Sequence, residues 1–324
     1  MNFDLSLLLR EHRAAPISLQ DIASRLNKTP RAVTRDLQAL AAAGFLTQAS
    51  PHQGPTLSAV PQSLIADEIA HRLGTKRIGQ QVRTVEDATS TNDLAWEAAA
   101  EADNAGLAVF AESQSAGRGR LGNQWDAPPH KAILMSVFAL MPQAPHEAAL
   151  LTLAAGVATA RAIQSQLSLK VTIKWPNDVE IEGKKAAGIL VEQRRRQGPL
   201  GAYVIGIGTN VNQVREDFPP SIRDRATSCR CRAGTEVDRT LLARVLLREL
   251  DHWCDLAGQA NASTPLLAAV NGMSEMRGRK MIVRQDGRIF RGEVIDILET
   301  YGLAMRLTDG SLHVFDALRT SVIE

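Results

Sequence analysis

The sequence predicts an α/β (α+β) chain of three units: a small helical unit closed by a hairpin, a large mixed central unit and a small C-terminal β-barrel. Three observations predict it. Residues before Pro61 carry short stretches of helical periodicity followed by two β-prone runs. The middle mixes apolar strands with long alanine- and leucine-rich stretches. Beyond Gly278 the chain breaks into short alternating segments separated by Asp286-Gly287, Tyr301-Gly302 and Asp309-Gly310. With 324 residues, 44% of them apolar and 22% charged, there is enough material for a sizeable core and more than one domain. The expected boundaries are 1–62, a linker at 63–80, 81–271 and 272–324.

In the first unit, Phe3, Leu5, Leu8 and Leu9 give one helical face. Ser18-Leu19-Gln20-Asp21 resembles a capping box that opens a second helix over Ile22 and Leu26. Thr29-Pro30 opens a third, proline being acceptable in a first turn. Along it Val33, Leu37 and Leu40 point inward by spacing, Arg31, Thr34, Arg35 and Gln38 share the opposite face, and Gly44 ends it. Two helices joined by a tight turn, the second presenting such side chains, make a helix-turn-helix pattern able to read base edges and phosphates. A plain solvated face has the same composition. Phe45–Thr47 and Thr56–Ser58 are expected strands around the turn-rich run from Ser50 to Pro55. Leu64, Ile65, Ile69 and Leu73 then give the linker helical spacing.

Composition excludes several classes. The longest apolar stretch, Ala148 to Ala160, is too short to span a bilayer, and the expected helix from Ala148 to Gln166 reads as buried. No basic segment precedes an apolar run at the N-terminus, so a cytoplasmic protein is expected, with Cys229, Cys231 and Cys254 as free thiols. Cys229, Cys231 and His252 lack the paired spacing of a zinc site. A net charge of +2 gives no global pull on nucleic acid.

The central unit is organised around Gly117-Arg118-Gly119-Arg120-Leu121-Gly122, which follows the apolar run Leu107–Ala111. Glycines let backbone approach a ligand, and arginines offer forked, permanently charged donors, so this loop expects an anion. It matches G-x-G-x-x-G, but Pro128-Pro129 follow where a dinucleotide site needs a helix. The remaining reading is a basic lid over an acyl phosphate.

Around it lie further polar groups. Thr89-Ser90-Thr91-Asn92 marks a helix start. A strand is expected over Ile133–Phe138, and another from Val171 stops at Trp175-Pro176-Asn177-Asp178, leaving an amide and a carboxylate at its end. Glu182-Gly183 turns the chain into a strand carrying Lys184 and Lys185 on opposite faces. Arg194–Arg196 suits a hairpin tip, and Tyr203–Asn212 is a strand interrupted by Gly206 and Gly208, which lets another group come close. A helix is expected over Thr240–Ala257.

These motifs together resemble the biotin protein ligases of the bifunctional type. The basis is the Gly-Arg-Gly-Arg-x-Gly loop preceded by Gln114 and Ala116, the Ser-Thr-Asn run at Ser90, the Lys-Trp-Pro-Asn-Asp run ending at Asp178, Lys185 before Gly188, and the Gly-x-Gly-x-Asn run at Gly206. The resemblance implies a winged helix-turn-helix, a catalytic domain similar to class II aminoacyl-tRNA synthetases and an SH3-like C-terminal domain. It implies catalytic roles for Lys185, Arg118, Arg120 and Asp178. Ser90, Thr91, Asn92, Gln114, Gly117, Gly119, Gly188, Gly206, Gly208 and Asn210, together with Arg118, Arg120 and Lys185, are the implied biotin and adenylate site. Arg31, Thr34, Arg35 and Gln38 are the implied DNA contacts. The wing lacks the family's lysine and aromatic tip, and Arg319 follows an altered C-terminal motif.

The implied activity is ATP- and Mg²⁺-dependent formation of biotinyl-5′-AMP and transfer of biotin to a lysine of biotin carboxyl carrier protein. Magnesium would come with ATP, without a protein cage, Asp178 being the available carboxylate. Binding of operator DNA as a biotin-responsive repressor, and homodimerisation with adenylate bound, are also implied, with no membrane partner. A ligase with a vestigial N-terminal unit and a lipoate-type acyl ligase are the alternatives.

Overall fold

The computed structural model describes residues 1–13, 16–50, 54–142, 147–196, 198–259, 263–298 and 300–323. The tip of the expected wing, residues 51–53, and Gln197 of the expected hairpin tip lie outside the described residues.

The N-terminal unit comprises α1 (Phe3–Glu11), α2 (Leu19–Arg25), α3 (Pro30–Ala42) and an antiparallel pair, β1 (Leu46–Ser50) with β2 (Gly54–Ala59). Its helix starts follow the expected chemistry. Ser18 accepts the Asp21 N–H at 3.1 Å, Thr29 accepts that of Ala32 at 3.3 Å, and Pro30 takes the first turn of α3. Leu5, Leu9, Ile22, Val33, Leu40, Phe45 and Leu57 form its core. Phe45, expected in a strand, is instead fully buried just ahead of β1. The linker helix α4 (Ala66–Ala70) is shorter than its spacing implies, because Arg72 and Gly74, both at positive φ, turn the chain. Leu64, Ile69 and Leu73 are buried all the same.

The central unit is a seven-stranded mixed sheet in the order β3 (Val82–Ala88), β4 (Ala108–Gln114), β5 (Ala132–Pro142), β9 (Leu200–Asn210), β8 (Lys184–Arg194), β7 (Asp178–Ile181), β6 (Val171–Lys174). Only β3 and β4 pair in parallel. Alternation along β5 sets the two faces. Ile133, Met135 and Val137 join the main core with α6 (Glu147–Leu167) and α8 (Arg239–Ala257). Phe138 faces the other way, packing with Ala95 and Trp96 of α5 (Thr91–Ala98). By length and composition α6 could cross a membrane, but 83% of its apolar window is buried, which is the pattern of a core helix. Helices α7 (Cys229–Ala233) and α9 (Ser263–Met273) complete the unit.

A five-stranded antiparallel sheet follows, ordered β13 (Leu312–Phe315), β12 (Leu303–Leu307), β11 (Arg288–Ile297), β10 (Lys280–Gln285), β14 (Thr320–Val322). Strand β14 was not expected. It is three residues long and carries too little pattern to register. Trp175, fully buried, ties this sheet to the central unit by donating its Nε1–H to the Tyr301 carbonyl at 2.9 Å.

The N-terminal unit docks through buried charge. Arg10 donates in a fork to Glu68, both contacts at 2.9 Å, and to Asp238 at 2.7 Å. Its neighbouring carboxylates outweigh burial and raise its pKa further. Arg239, next to Asp238, reaches Glu112 of β4 at 2.7 Å, two residues before Gln114.

Candidate active site

The face of the sheet beside α5 holds a cavity of about 190 Å³ whose floor is glycine backbone flanked by Leu134 and Leu190. Gly188 of β8 pairs with Gly208 of β9, and Gly206 pairs with Ser136 of β5. A Cβ at Gly188 would stand 2.9 Å from the Trp125 ring; one at Gly208 would overlap the indole, and one at Gly206 would overlap Asn92. The glycine-interrupted strand therefore admits close neighbours, as its composition implies.

One wall is the start of α5. Ser90 caps the helix, accepting the Asn92 N–H at 3.3 Å. Gln114 Oε1, from the end of β4, accepts from the Thr91 N–H at 2.7 Å and its hydroxyl at 3.1 Å. Ser136 Oγ lies 2.7 Å from Thr91 Oγ1 and 2.6 Å from Asn92 Oδ1. Asn92 Nδ2 is buried with no partner among the described residues, a donor with capacity to spare for a polar ligand.

The opposite wall carries charge. Lys185 Nζ stands 2.7 Å from Asp178 Oδ1. Lys185 and Gly188 share a face although residues three apart in a regular strand face opposite ways. The register shifts between Val179 and Glu180, which pair with Ala187 and Lys185, so Ala186 is an extra residue that restores the phase. Lys184, on the other face, is half-buried.

The roof is the glycine-arginine loop, folded back as a hairpin. The Gly119 N–H donates to the Asn123 carbonyl at 2.7 Å and the Trp125 N–H to the Gly117 carbonyl at 3.0 Å, with Leu121 and Gly122 at positive φ in the turn. A single 3₁₀ turn, Arg120–Gly122, stands where a dinucleotide site would open a helix. Trp125 drops onto Gly188 and Gly208 with its Nε1 buried and without a hydrogen-bond partner among the described residues, and Lys185 Nζ lies 5.6 Å from its ring centroid.

The two arginines are used differently. Arg120 donates to Asn177 Oδ1 at 3.0 Å, to the Thr320 carbonyl at 3.2 Å and to the Ala317 carbonyl, fastening the roof to the central sheet and to β14. Burial lowers its pKa. Arg118 lies on the outer side, forked onto Asp93 at 2.9 and 2.7 Å.

Of the residues singled out in the sequence, Ser90, Thr91, Asn92, Gln114, Arg118, Gly119, Arg120, Asp178, Lys185, Gly188, Gly206 and Gly208 line this cavity. Two do not. Gly117 sits behind it, where a Cβ would strike the Trp125 carbonyl. The Asn210 amide is spent on the Thr227 carbonyl at 3.0 Å and on Gln213 at 2.9 Å, so it braces the neighbouring loop. Arg319 pairs with Asp286 and is exposed; Ser321 and Val322 reach the cavity in its stead. Sequence reasoning missed these two and Trp125, while Lys174, the first residue of the Lys-Trp-Pro-Asn-Asp run, also lines the cavity.

On the N-terminal unit, Arg31, Thr34, Arg35 and Gln38 are all exposed on one side of α3. Among the described residues no group of three or more His, Cys, Asp or Glu side chains converges to hold a metal. Cys229 and Cys254 are buried and Cys231 is exposed.

Residues 84–210 match the Biotin/lipoate A/B protein ligase family. The chain is 31% identical to the bifunctional ligase/repressor BirA of Bacillus spizizenii over 316 residues, covering 97% of this chain and 96% of that protein. It is 32% identical to BirA of Escherichia coli, over 71% of this chain and 70% of the relative. Among solved structures, the biotin protein ligase of Aquifex aeolicus in complex with biotin and ATP superposes with a TM-score of 0.64. That match is 22% identical and covers 74% of this chain and 97% of the other, a likeness of fold.

Proposed function

The chain belongs to the biotin/lipoate A/B protein ligase family, and from that premise we propose that it is an ATP-dependent biotin ligase whose N-terminal unit binds DNA. The observation that carries this reading is the cavity itself: a backbone floor and a neutral polar wall for a small apolar acid, roofed by cations. The names of the relatives, ligase/repressors acting in one chain, support it.

A carboxylate is a poor acyl donor because its leaving group would be oxide. The biotin carboxylate oxygen attacks the α-phosphorus of ATP, pyrophosphate departs, and the acid becomes a mixed anhydride with AMP. Charge grows on the phosphate oxygens during that step, and Lys185 with Arg118 and Arg120 offsets it. Magnesium carried in with the nucleotide would add Lewis-acid charge on the phosphates. Asp178, whose Oδ1 accepts no hydrogen bond among the described residues and lies 2.7 Å from Lys185 Nζ, is the carboxylate available to face it. A lysine amine of a biotin carboxyl carrier protein then attacks the acyl carbon, and AMP leaves. Closure of the roof keeps water from the anhydride until that amine arrives.

Ser90, Thr91, Asn92 and Gln114 hold the polar ring of biotin in this reading, over Gly188, Gly206 and Gly208. Gly117, Gly119 and Asn210 shape the roof and the neighbouring loop. Residues 1–62 are a winged helix-turn-helix that presents Arg31, Thr34, Arg35 and Gln38 to operator DNA. Residues 63–80 link it to a class II synthetase-like catalytic domain at 81–271, and 272–324 form an SH3-like domain. A dimer with adenylate bound would set two such helices on two half-sites.

The family also contains lipoate ligases, so the deciding experiment is pyrophosphate exchange by the purified protein with biotin, with lipoate and with both. Biotin-dependent exchange that lipoate does not inhibit is expected. Exchange driven by lipoate alone would overturn the assignment.

A further inference from the structure

Arg118, the first arginine of the roof, is clipped to the framework. It donates in a fork to both oxygens of Asp93, at 2.9 and 2.7 Å, and reaches Glu192 Oε1 at 3.4 Å. Neither carboxylate belongs to the loop: Asp93 stands in the first turn of α5 and Glu192 on β8. Glu192 is itself fixed, since Trp96 Nε1 donates to its Oε2 at 2.7 Å and Arg194 covers the Trp96 ring at 4.3 Å from the centroid. Helix and sheet thus hold one side chain of the roof between them.

A forked arginine–carboxylate contact is the specific form of such a pair. With side chains 40% and 39% exposed, it is also screened by water, so it adds little to the stability of the fold. A contact of that strength is easily exchanged.

We infer that Asp93, with Glu192 behind it, competes with the ligand for Arg118, holding the arginine in the ligand-free protein and yielding it to the incoming phosphate. The inference rests on the nucleotide-binding reading above. The edge of the guanidinium that grips Asp93 cannot grip a phosphate at the same time. Ligand binding is therefore weakened by whatever the clip contributes. A positioning residue that merely steadied Arg118 over the ligand would act in the opposite direction, so the sign of the effect separates the two roles.

The test uses the full chain carrying Asp93→Asn or Glu192→Gln. Asparagine preserves size near the helix start, and glutamine keeps an oxygen for Trp96. Trypsin cleavage after Arg118 and Arg120 of ligand-free protein is expected to be several-fold faster in both variants, with the difference lost when biotin, ATP and magnesium are present. The KM for ATP in pyrophosphate exchange should fall roughly two- to fivefold with kcat unchanged, the range of an exposed pair. Asp93→Glu should return both readouts towards the parent. A higher KM, or parental cleavage rates in both substitutions, would overturn the inference. A parent protein that shows no exchange with ATP would sink the proposed activity; the ligand-free cleavage comparison would still judge the clip.

Discussion

The Cβ that Gly188 lacks would stand 3.2 Å from Cε of Lys185 and 2.9 Å from the Trp125 ring. Floor, cation and roof meet at that one missing methyl. Gly188→Ala should keep the fold, since the position faces a cavity, yet lift Trp125 and displace Lys185. Biotin affinity measured by calorimetry is expected to fall about tenfold, roughly 1.4 kcal/mol. Parental affinity would show that the roof does not rest on the floor during binding.

Lys185→Met preserves length and removes charge. If Lys185 offsets charge on the reacting phosphate, adenylate formation in the exchange assay should drop about 10²-fold or more, with a smaller change in biotin affinity. An unchanged exchange rate would remove Lys185 from the reaction and leave it as the partner of Asp178.

Arg10→Met would leave the Glu68 carboxylate, fully buried, without its partner. Breaking a buried pair in this way costs about 3–5 kcal/mol. The expected outcome is a lower urea midpoint for the transition that includes the N-terminal unit. Arg10→Lys should recover only part of it, because lysine cannot make the fork.

Arg31→Ala and Arg35→Ala should each weaken binding to a biotin-operator fragment. A phosphate-contacting arginine would also reduce the slope of log K against log salt by about one, whereas a base-reading one would relax sequence preference. Equal binding by parent and variants, in gel shifts with and without biotin and ATP, would leave α3 without a role on DNA.

Cys229 and Cys254 should resist a thiol reagent in the native protein, because burial pushes both thiols up to about 12. Their thiolates stay unpopulated until the pH approaches that value. Exposed Cys231 is expected to react alone at pH 8, and all three after denaturation; fast labelling of more than one native thiol would contradict the packing.

Much of the site was legible because its chemistry needs particular residue types in short runs. The Ser90 helix start, the Gly117 loop and the Gly206–Gly208 strand each announce a local backbone requirement, and local requirements leave local patterns. What was illegible depends on partners far along the chain. Asn210 reads as a site residue from its motif, yet its amide is claimed by Thr227 and Gln213. Arg120 reads as a second phosphate ligand, and nothing local signals that a segment about 200 residues later also holds its guanidinium. Ser321 and Val322 carry no motif at all. They reach the cavity because β14 pairs with β10, a register that three residues of weak pattern do not specify.

Because glycine main chain paves much of the bottom of the binding space, its contour there follows the twist and pairing of strands more than any rotamer. Choosing a different acid would then be a matter of altering walls and ceiling, while the glycine positions, having no side groups to exchange, can only be encroached upon. Mutational drift there has one direction, towards exclusion.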